Sequence, residues 1–227
     1  MKKKLMRIAT MAVMMLAAIS MVEAQEAVED RGGTRFSANP CLPAHHNMEG
    51  HQSAWCYLDQ ITSLMAGWNW WSTCIEVTLD ELKAALVDAV PGTAITITSQ
   101  NNGSTTYNGS IWRGTLNALD VTQMYKIKTI SNCQIELTGM PLNPAEHPIT
   151  IHNGTNWIGF PLNVNMSLNN AFAGFAVSGD LVRSKDKSAS YTNQWRGTLN
   201  TLVPGQGYIY KSSTSTDRVL TFPASAQ

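Results

Sequence analysis

The chain has 227 residues, a formal net charge of zero at neutral pH, and 14% charged against 44% hydrophobic residues. This length fits one domain of moderate size or two small ones. Without a basic stripe to neutralise phosphates, the composition argues against a nucleic-acid partner. After the N-terminal leader, no apolar run is long enough to cross a membrane, so we expect no membrane-spanning segment in the mature chain.

The first 24 residues are typical of a secretory signal peptide. A positive segment (residues 2–7) precedes an apolar run (8–22) and a small-residue cleavage site that ends at Ala24. The alternative is a membrane anchor, which the short apolar run and the polar residues after it disfavour. We predict cleavage after Ala24 and a secreted, periplasmic or cell-surface protein.

Residues 25–60 are predicted to be a lead-in that carries a disulfide-closed loop. The loop contains His45, His46 and His51, and imidazole is a common ligand of zinc and copper, so these are weak metal-ligand candidates. The alternative is a solvated polar loop. Adjacent side chains diverge in a strand, which makes His45 and His46 awkward joint ligands. We therefore expect neither a metal nor a cofactor.

An internal duplication organises the rest of the chain. The stretch Trp112-Arg113-Gly114-Thr115-Leu116-Asn117 returns unchanged at 195–200. We predict repeat unit 1 over 61–140 and repeat unit 2 over 149–223. Further pairs are Gly67-Trp68-Asn69-Trp70 with Gly154-Thr155-Asn156-Trp157, and Tyr125 with Tyr208. The expected structural anchors are Trp70, Trp157, Trp112, Trp195, Tyr125 and Tyr208, with Trp70 and Trp157 in equivalent buried positions.

Within the first repeat, the pattern predicts several strands and one short helix. The run 68–75 is rich in aromatic and β-branched residues and favours a strand. Thr78 and Glu81 form a capping box for a helix that Pro91-Gly92 ends. Residues 167–172 represent the same helix in the second repeat. Each repeat is expected to hold about five or six strands and one short helix, in a β-rich α+β fold. Spacing alone leaves open whether the repeats share one core.

The order Gly-Trp-Asn-Trp, short helix, Trp-x-Gly-x-Leu and Pro-Gly-x-Gly-Tyr resembles a tandem repeat module of secreted and surface proteins of Bacteroidota. The residues that carry it lie at 67–71, 112–116, 154–158, 195–199 and 204–208. The resemblance covers about residues 61–223. It implies an envelope or extracellular location and no assigned reaction. The first repeat departs from the pattern, because 121–124 replaces the Pro-Gly-x-Gly turn.

Four cysteines follow the signal peptide, and an even number in an exported protein predicts two disulfides. Cys74 and Cys133 both fall in the first repeat. Their approximate counterparts in the second repeat are Pro161 and Thr216. Because two cysteines absent together are best explained as partners, we predict a Cys74–Cys133 disulfide. Cys41 and Cys56 then pair with each other. Free buried thiols are the alternative, and no C-x-x-C spacing supports zinc binding.

The sequence shows no converging catalytic constellation. Asp80, Glu81 and Asp88 fall on the predicted helix, where a solvated face explains them. There is no carboxylate pair with repeat counterparts, no Gly-x-Ser-x-Gly elbow and no phosphate-binding loop. We therefore expect a protein that is not an enzyme.

Tryptophans without a Trp counterpart suggest binding. Trp68 corresponds to Thr155 and Trp71 to Ile158. Exposed aromatic rings stack on sugars or anchor protein partners. A buried site tolerates a change from a large ring to a small polar side chain poorly, so Trp68 is the stronger candidate and Trp71 the weaker. The sequence predicts a non-catalytic envelope module that binds a glycan or protein through Trp68 and Trp71. The alternatives are a structural cell-surface subunit without a small ligand and, less favoured, a carbohydrate-active enzyme.

Overall fold

The computed structural model describes residues 33–38 and 57–224, and the β-rich α+β fold predicted from the sequence is confirmed. The predicted signal peptide, the three histidines of the loop, and Cys41 and Cys56 lie outside the described residues. No helix of the described ranges is long and apolar enough to cross a membrane. Both repeats belong to the same compact unit.

The first repeat forms a five-stranded antiparallel sheet and a smaller three-stranded one. The strands are β1 (Thr34–Ala38), β2 (Leu58–Leu64), β3 (Gly67–Trp71), β4 (Ala94–Thr98), β5 (Ser104–Asn108), β6 (Trp112–Gly114), β7 (Tyr125–Thr129) and β8 (Cys133–Gly139), and the helix is α1 (Leu79–Ala89). The large sheet has the order β3-β7-β4-β5-β6 and the small one β1-β2-β8.

The second repeat forms a large sheet of the same strand order. Its elements are β9 (Ile149–Ile151), β10 (Gly154–Ile158), β11 (Met166–Ser167), α2 (Leu168–Ala171), β12 (Leu181–Arg183), β13 (Ser188–Tyr191), β14 (Trp195–Gly197), β15 (Thr201–Leu202), β16 (Tyr208–Ser212) and β17 (Arg218–Leu220). The large sheet runs β10-β16-β12-β13-β14, and β11-β15 and β17-β9 form two-stranded sheets. The short strands outside the large sheets raise the count above the five or six expected.

Helix α1 begins as the sequence predicts. The Thr78 side chain accepts a hydrogen bond from the Glu81 backbone N–H, and the Glu81 side chain accepts one from the Thr78 backbone N–H. This capping box satisfies N–H groups that lack partners within the helix. The apolar face of Leu79, Leu82 and Leu86 is buried in the core cluster of the first repeat. Helix α2 has only four residues, and Ser167 caps it.

The repeated Trp-Arg-Gly-Thr-Leu stretch has a specific structural reason. Gly114 and Gly197 adopt φ values of 150° and 151°, and each crosses so close to the neighbouring strand that a β-carbon would collide with its backbone. Leu116 and Leu199 follow and are buried. Only glycine permits this approach, so the motif fixes the pairing of the edge strand and returns the chain to the core.

An asparagine lies in the first strand of each large sheet, half-buried at Asn69 and buried at Asn156. The Asn69 side chain receives the Met65 N–H and donates to the Met65 and Gly67 carbonyls. Asn156 makes the same three bonds with His152 and Gly154. The side chain therefore closes the turn that precedes the strand, which explains the shared Gly-x-Asn-Trp sequence.

Tyr125 and Tyr208 are fully buried, in agreement with their predicted anchoring role. Each hydroxyl accepts a backbone N–H 2.6 Å away, from Asp120 in the first repeat and from Val203 in the second. The buried hydrophobic side chains form two separate clusters, one in each repeat. The question that spacing left open is thus answered by two cores rather than one.

The repeats meet through reciprocal backbone contacts, which we call the repeat interface. The Ser72 N–H donates to the Gly205 carbonyl at 3.1 Å, and the Gly159 N–H donates to the Thr122 carbonyl at 2.8 Å. Isolated bridges join Trp71 to Gln206 and Gln123 to Ile158. The edge strand of each large sheet, β3 or β10, therefore contacts the turn that precedes the second strand, β16 or β7, of the other repeat.

Trp70 and Trp157 are equivalent, but the prediction that they are buried core anchors is wrong. Both are only half-buried and lie at the repeat interface. Lys126 Nζ lies 5.5 Å from the Trp70 ring centroid and 4.2 Å from that of Trp157. The reason is that Asn69 takes the core-facing position of β3, so strand alternation turns Trp70 outward.

The structure corrects the predicted Cys74–Cys133 disulfide, because both residues are free thiols. Cys74 Sγ lies 3.4 Å from Gln60 Oε1, and Gln60 pairs with Leu137 of β8. Cys133 begins β8, four residues before Leu137, or about 13 Å away at the usual rise per strand residue. A disulfide needs Cα atoms within about 7 Å. The strand register therefore separates the two sulfurs.

The position in the second repeat that is equivalent to Cys133 is Arg218, two residues after the predicted Thr216. Cys133 pairs with Leu64, and in the second repeat Arg218 pairs with Ile151. Leu64 directly precedes the turn that Asn69 closes, and Ile151 directly precedes the turn that Asn156 closes. Cys133 thus corresponds to Arg218, whose role is entirely different.

Candidate functional site

The candidate site lies on the outer face of the large sheet in the first repeat. The opposite face carries Ile95, Ile97 and Ile127, which are fully buried in the core cluster. Antiparallel sheets commonly have one packed and one solvated face. Strand alternation then places polar and aromatic side chains of all five strands on the solvated side.

One line of cross-strand neighbours runs over the full width of this face. We call it the Trp68 row, and it consists of Trp68, Lys128, Thr96, Thr106 and Arg113. Each is the register partner of the next: Trp68 with Lys128, Lys128 with Thr96, Thr96 with Thr106, and Thr106 with Arg113. Directly opposed residues project from the same face, so the row is a continuous strip of side chains.

The first end of the row is aromatic and positively charged. Trp68 is 43% exposed, the exposure that a binding platform requires. Lys128 Nζ lies 5.8 Å from the centre of the Trp68 ring, at the outer limit of a cation–π contact. The ammonium group therefore lies over the ring, and Lys128 is an exposed residue.

The middle and far end of the row are polar and basic. The Thr96 and Thr106 hydroxyl oxygens lie 3.3 Å apart. Arg113 is exposed on the edge strand β6. The five strands of this sheet contain no aspartate or glutamate. The face thus combines one exposed ring, two hydroxyls and two exposed cations without a neutralising carboxylate in the sheet.

Trp71 does not join this site. It is 1% exposed and lies within the first core cluster. The prediction that Trp71 contributes to ligand binding is therefore corrected. Its counterpart Ile158 is equally buried, so the position keeps its apolar character in both repeats.

Sequence reasoning missed four members of the row. The alternation of β7, in which Lys126 and Lys128 flank the buried Ile127, was the available signal for an outward basic line. Arg113 was quoted only as part of the repeated motif. The sequence did not reveal its exposure, because the Trp, Gly and Leu of the motif recur for structural reasons. The arginine recurs too, but it has no such structural role.

The second repeat carries a matching row without the ring. Its members are Thr155, Lys211, Leu181, Ser190 and Arg196. Both cations are kept, but Trp68 is replaced by Thr155 and Thr96 by Leu181. The chain therefore contains an internal reference surface with similar charge and no aromatic platform.

A polar cavity of about 270 Å³ lies beside Trp157 at the repeat interface. The Gln100 side chain lines it and pairs with the edge of β10 through the Thr155 carbonyl and the Trp157 N–H. Asp120 also lines it and accepts bonds from Thr122 and Gln123. These polar groups already serve the fold, so the cavity is the weaker candidate.

A buried titratable cluster occupies the second repeat. Asp180 is fully buried and accepts hydrogen bonds from Tyr210, Arg218, the Val177 N–H, and the N–H and hydroxyl of Ser213. Burial raises the pKa of Asp180, but the bonds from Tyr210, Val177, Arg218 and Ser213 outweigh this and lower the pKa overall. Both carboxylate oxygens are engaged, so this cluster stabilises the fold.

No group of three or more histidine, cysteine or acidic side chains within residues 33–38 and 57–224 could hold a metal ion. The weak candidates His45, His46 and His51 lie outside these ranges. No family model, curated protein or solved structure matches the chain. The function must therefore be inferred from the geometry of the Trp68 row itself.

Proposed function

We propose that the protein is a secreted, non-catalytic module of a bacterial envelope that binds a glycan or protein partner on the Trp68 row. The observation that carries the proposal is the exposed Trp68 ring on the outer face of the sheet, where the duplicate position holds Thr155. A ring of this size contributes a large apolar contact area, and exposed tryptophans are enriched among residues that dominate binding energy.

The location rests on the signal-peptide features of residues 1–24 and on the resemblance to surface repeat modules of Bacteroidota. Export would begin the mature chain at Gln25. N-terminal sequencing of the protein recovered from culture medium and from cell fractions tests this. A chain that retains residues 1–24 inside the cytoplasm contradicts the proposal.

Binding is tested with the mature chain on immobilised polysaccharides and on envelope extracts, using Trp68→Ala and the matched control Thr155→Ala. We expect Trp68→Ala to weaken capture at least about tenfold, as for a residue central to an interface. Thr155→Ala should have no effect. Thermal unfolding of both variants should match that of the parent.

Two outcomes contradict this proposal. If Trp68→Ala unfolds several degrees early, the ring supports the fold rather than a ligand. If capture is unchanged, the partner binds elsewhere, and a structural surface subunit becomes the better description. Retained capture of an envelope protein alone, lost in Trp68→Ala, selects a protein partner over a glycan.

A further inference from the structure

We infer that the Trp68 row binds an acidic polysaccharide, with the carboxylates of uronic acid residues as the recognised groups. This inference rests on the proposed function and names the ligand class of the same site. The order of the side chains along the row, their exposure and the absence of acidic residues from the five strands support it.

The ring and the ammonium group at one end form a paired contact. A sugar that stacks its C–H face on Trp68 presents its ring substituents at the ring edge. Lys128 Nζ is 5.8 Å from the centre of the Trp68 ring. The ammonium lies over the ring, so a sugar that packs against Trp68 brings its carboxylate to a cation already held at the ring, whereas a neutral hydroxymethyl group gains no ion pair there.

The hydroxyl pair suits the next part of a sugar chain. Thr96 and Thr106 lie 3.3 Å apart, so one hydroxyl donates to the other. Thr106 is exposed and Thr96 partly exposed, and each hydroxyl both donates and accepts. Sugar hydroxyl groups have the same dual character, so this segment binds them without a preference for charge.

Arg113 ends the row on the edge strand. Four strand spacings separate it from Trp68, which gives a strip about 19 Å long. A guanidinium group binds a carboxylate through two parallel hydrogen bonds. The two exposed cations of the row are separated by two hydroxyls, a spacing that fits a chain of isolated carboxylates better than a densely sulfated polymer.

Charge complementarity distinguishes this face from a general aromatic platform. No aspartate or glutamate lies in the five strands, although acidic and basic residues are equal in number over the whole chain. The positive charge of the sheet is therefore not neutralised within it. A polyanion gains from both cations, with an affinity that falls as salt screens them.

The test compares oligogalacturonate, neutral dextran and dextran sulfate by calorimetry with the mature chain. The site variants are Lys128→Gln and Arg113→Gln, and the matched controls are Lys211→Gln and Arg196→Gln in the second repeat. Each site variant should weaken oligogalacturonate binding about tenfold, as expected for one lost charge-assisted hydrogen bond. The controls should change it less than about twofold, and neutral dextran should bind weakly or not at all.

Four results overturn the inference. If the site variants and the controls weaken oligogalacturonate binding equally, the attraction is non-specific. The same follows if dextran sulfate binds Trp68→Ala as tightly as it binds the parent. Dextran binding that needs Trp68 but not Lys128 overturns the acidic preference and leaves the proposed function standing. Binding of no polysaccharide at all removes the glycan, while Trp68-dependent capture of a protein still supports a binding module.

Discussion

The two repeats fill equivalent positions with opposite chemistry, apolar side chains in one and a polar cluster in the other. By strand register and by the shared turns, Ile95 corresponds to Asp180, Ile127 to Tyr210 and Cys133 to Arg218. In the first repeat these positions are apolar or weakly polar. In the second they hold a hydrogen-bonded cluster in which the aspartate is fully buried.

This difference shows which parts of the fold must be kept and which can change. The asparagine that closes the turn, the buried tyrosine and the close-approach glycine recur in both repeats. The three positions just compared are not kept, because either apolar packing or a polar cluster with all its hydrogen bonds made can fill that space. A buried polar cluster is acceptable when each of its members has partners.

The largest effect is expected from Asp180→Ala. This change leaves the Tyr210 hydroxyl and the Val177 N–H without their acceptor and the Arg218 guanidinium without its carboxylate partner. Removal of one partner from a buried charged pair costs roughly 3–5 kcal/mol of unfolding free energy. The matched change in the first repeat, Ile95→Val, should cost about 0.5–1.5 kcal/mol. Urea unfolding measures both.

The triple variant Asp180→Ile, Tyr210→Ile, Arg218→Cys installs the chemistry of the first repeat in the second. It should be more stable than Asp180→Ala alone, because no charged group is left without a partner. If Asp180→Ala lowers the unfolding free energy by less than about 1 kcal/mol, the cluster does not act as a unit. The polar cluster would then contribute no more to stability than the apolar packing of the first repeat.

Next in size is the contrast between two tryptophans that differ in burial. Trp71 is fully buried, so Trp71→Ala should cost about 3–5 kcal/mol, in the range for core aromatic truncations. Trp157 is half-buried at the repeat interface, so Trp157→Ala should cost only about 1–2 kcal/mol, from partial burial and its contact with Lys126. Equal costs would mean that the repeat interface is as closely packed as a core.

Acid should destabilise the second repeat before the first. The pKa of Asp180 is lowered in the folded protein, so its stabilisation is present above the unfolded pKa of about 3.9 and is lost as pH falls through the folded pKa. The unfolding free energy should therefore fall from about pH 4 downwards, and less steeply in Asp180→Asn.

Glu81 provides the control in the first repeat. Hydrogen bonds from the Thr78 backbone and side chain lower the pKa of Glu81, but this carboxylate is on the surface. Glu81→Gln should therefore change the acid limb less than Asp180→Asn. The opposite ranking would show that the helix cap, rather than the buried cluster, controls acid unfolding.

The smallest effects concern the free thiols of the first repeat. Burial raises the pKa of Cys74 to about 12, so Cys74 should not react with a thiol reagent at pH 8 in the native state. Burial also raises the pKa of Cys133, which is partly accessible and should react slowly. The Cys41–Cys56 disulfide stays a prediction; after denaturation without reductant, two reactive thiols per chain support it and four exclude it.

The sequence predicted the elements that local chemistry determines. The Thr78 capping box located helix α1, and the exact return of the six-residue motif located β6 and β14. The number of strands was underestimated, because two- and three-residue strands such as β11 and β15 carry no alternation that a sequence pattern can reveal.

Errors arose where a residue's partner lies far away in the sequence. Alternation divides β3 into two faces, but only the bonds of Asn69 decide which face is buried. The disulfide prediction failed because the joint absence of two cysteines from the second repeat does not bring them together in the first, where the strand register separates them. Trp68 was found from its replacement by Thr155, whereas the rest of its row depends on the register of five strands, which no local pattern contains.

The reciprocal repeat interface has a consequence for how the chain assembles. The exposed edge of a sheet pairs readily with another chain, and here each repeat occupies the edge of the other, at β3 and at β10. Two molecules that exchanged their second repeats would form identical bonds. The connection over residues 143–148 keeps the pairing within one chain. Shortening it should favour an intertwined dimer, visible as a larger species by size-exclusion chromatography.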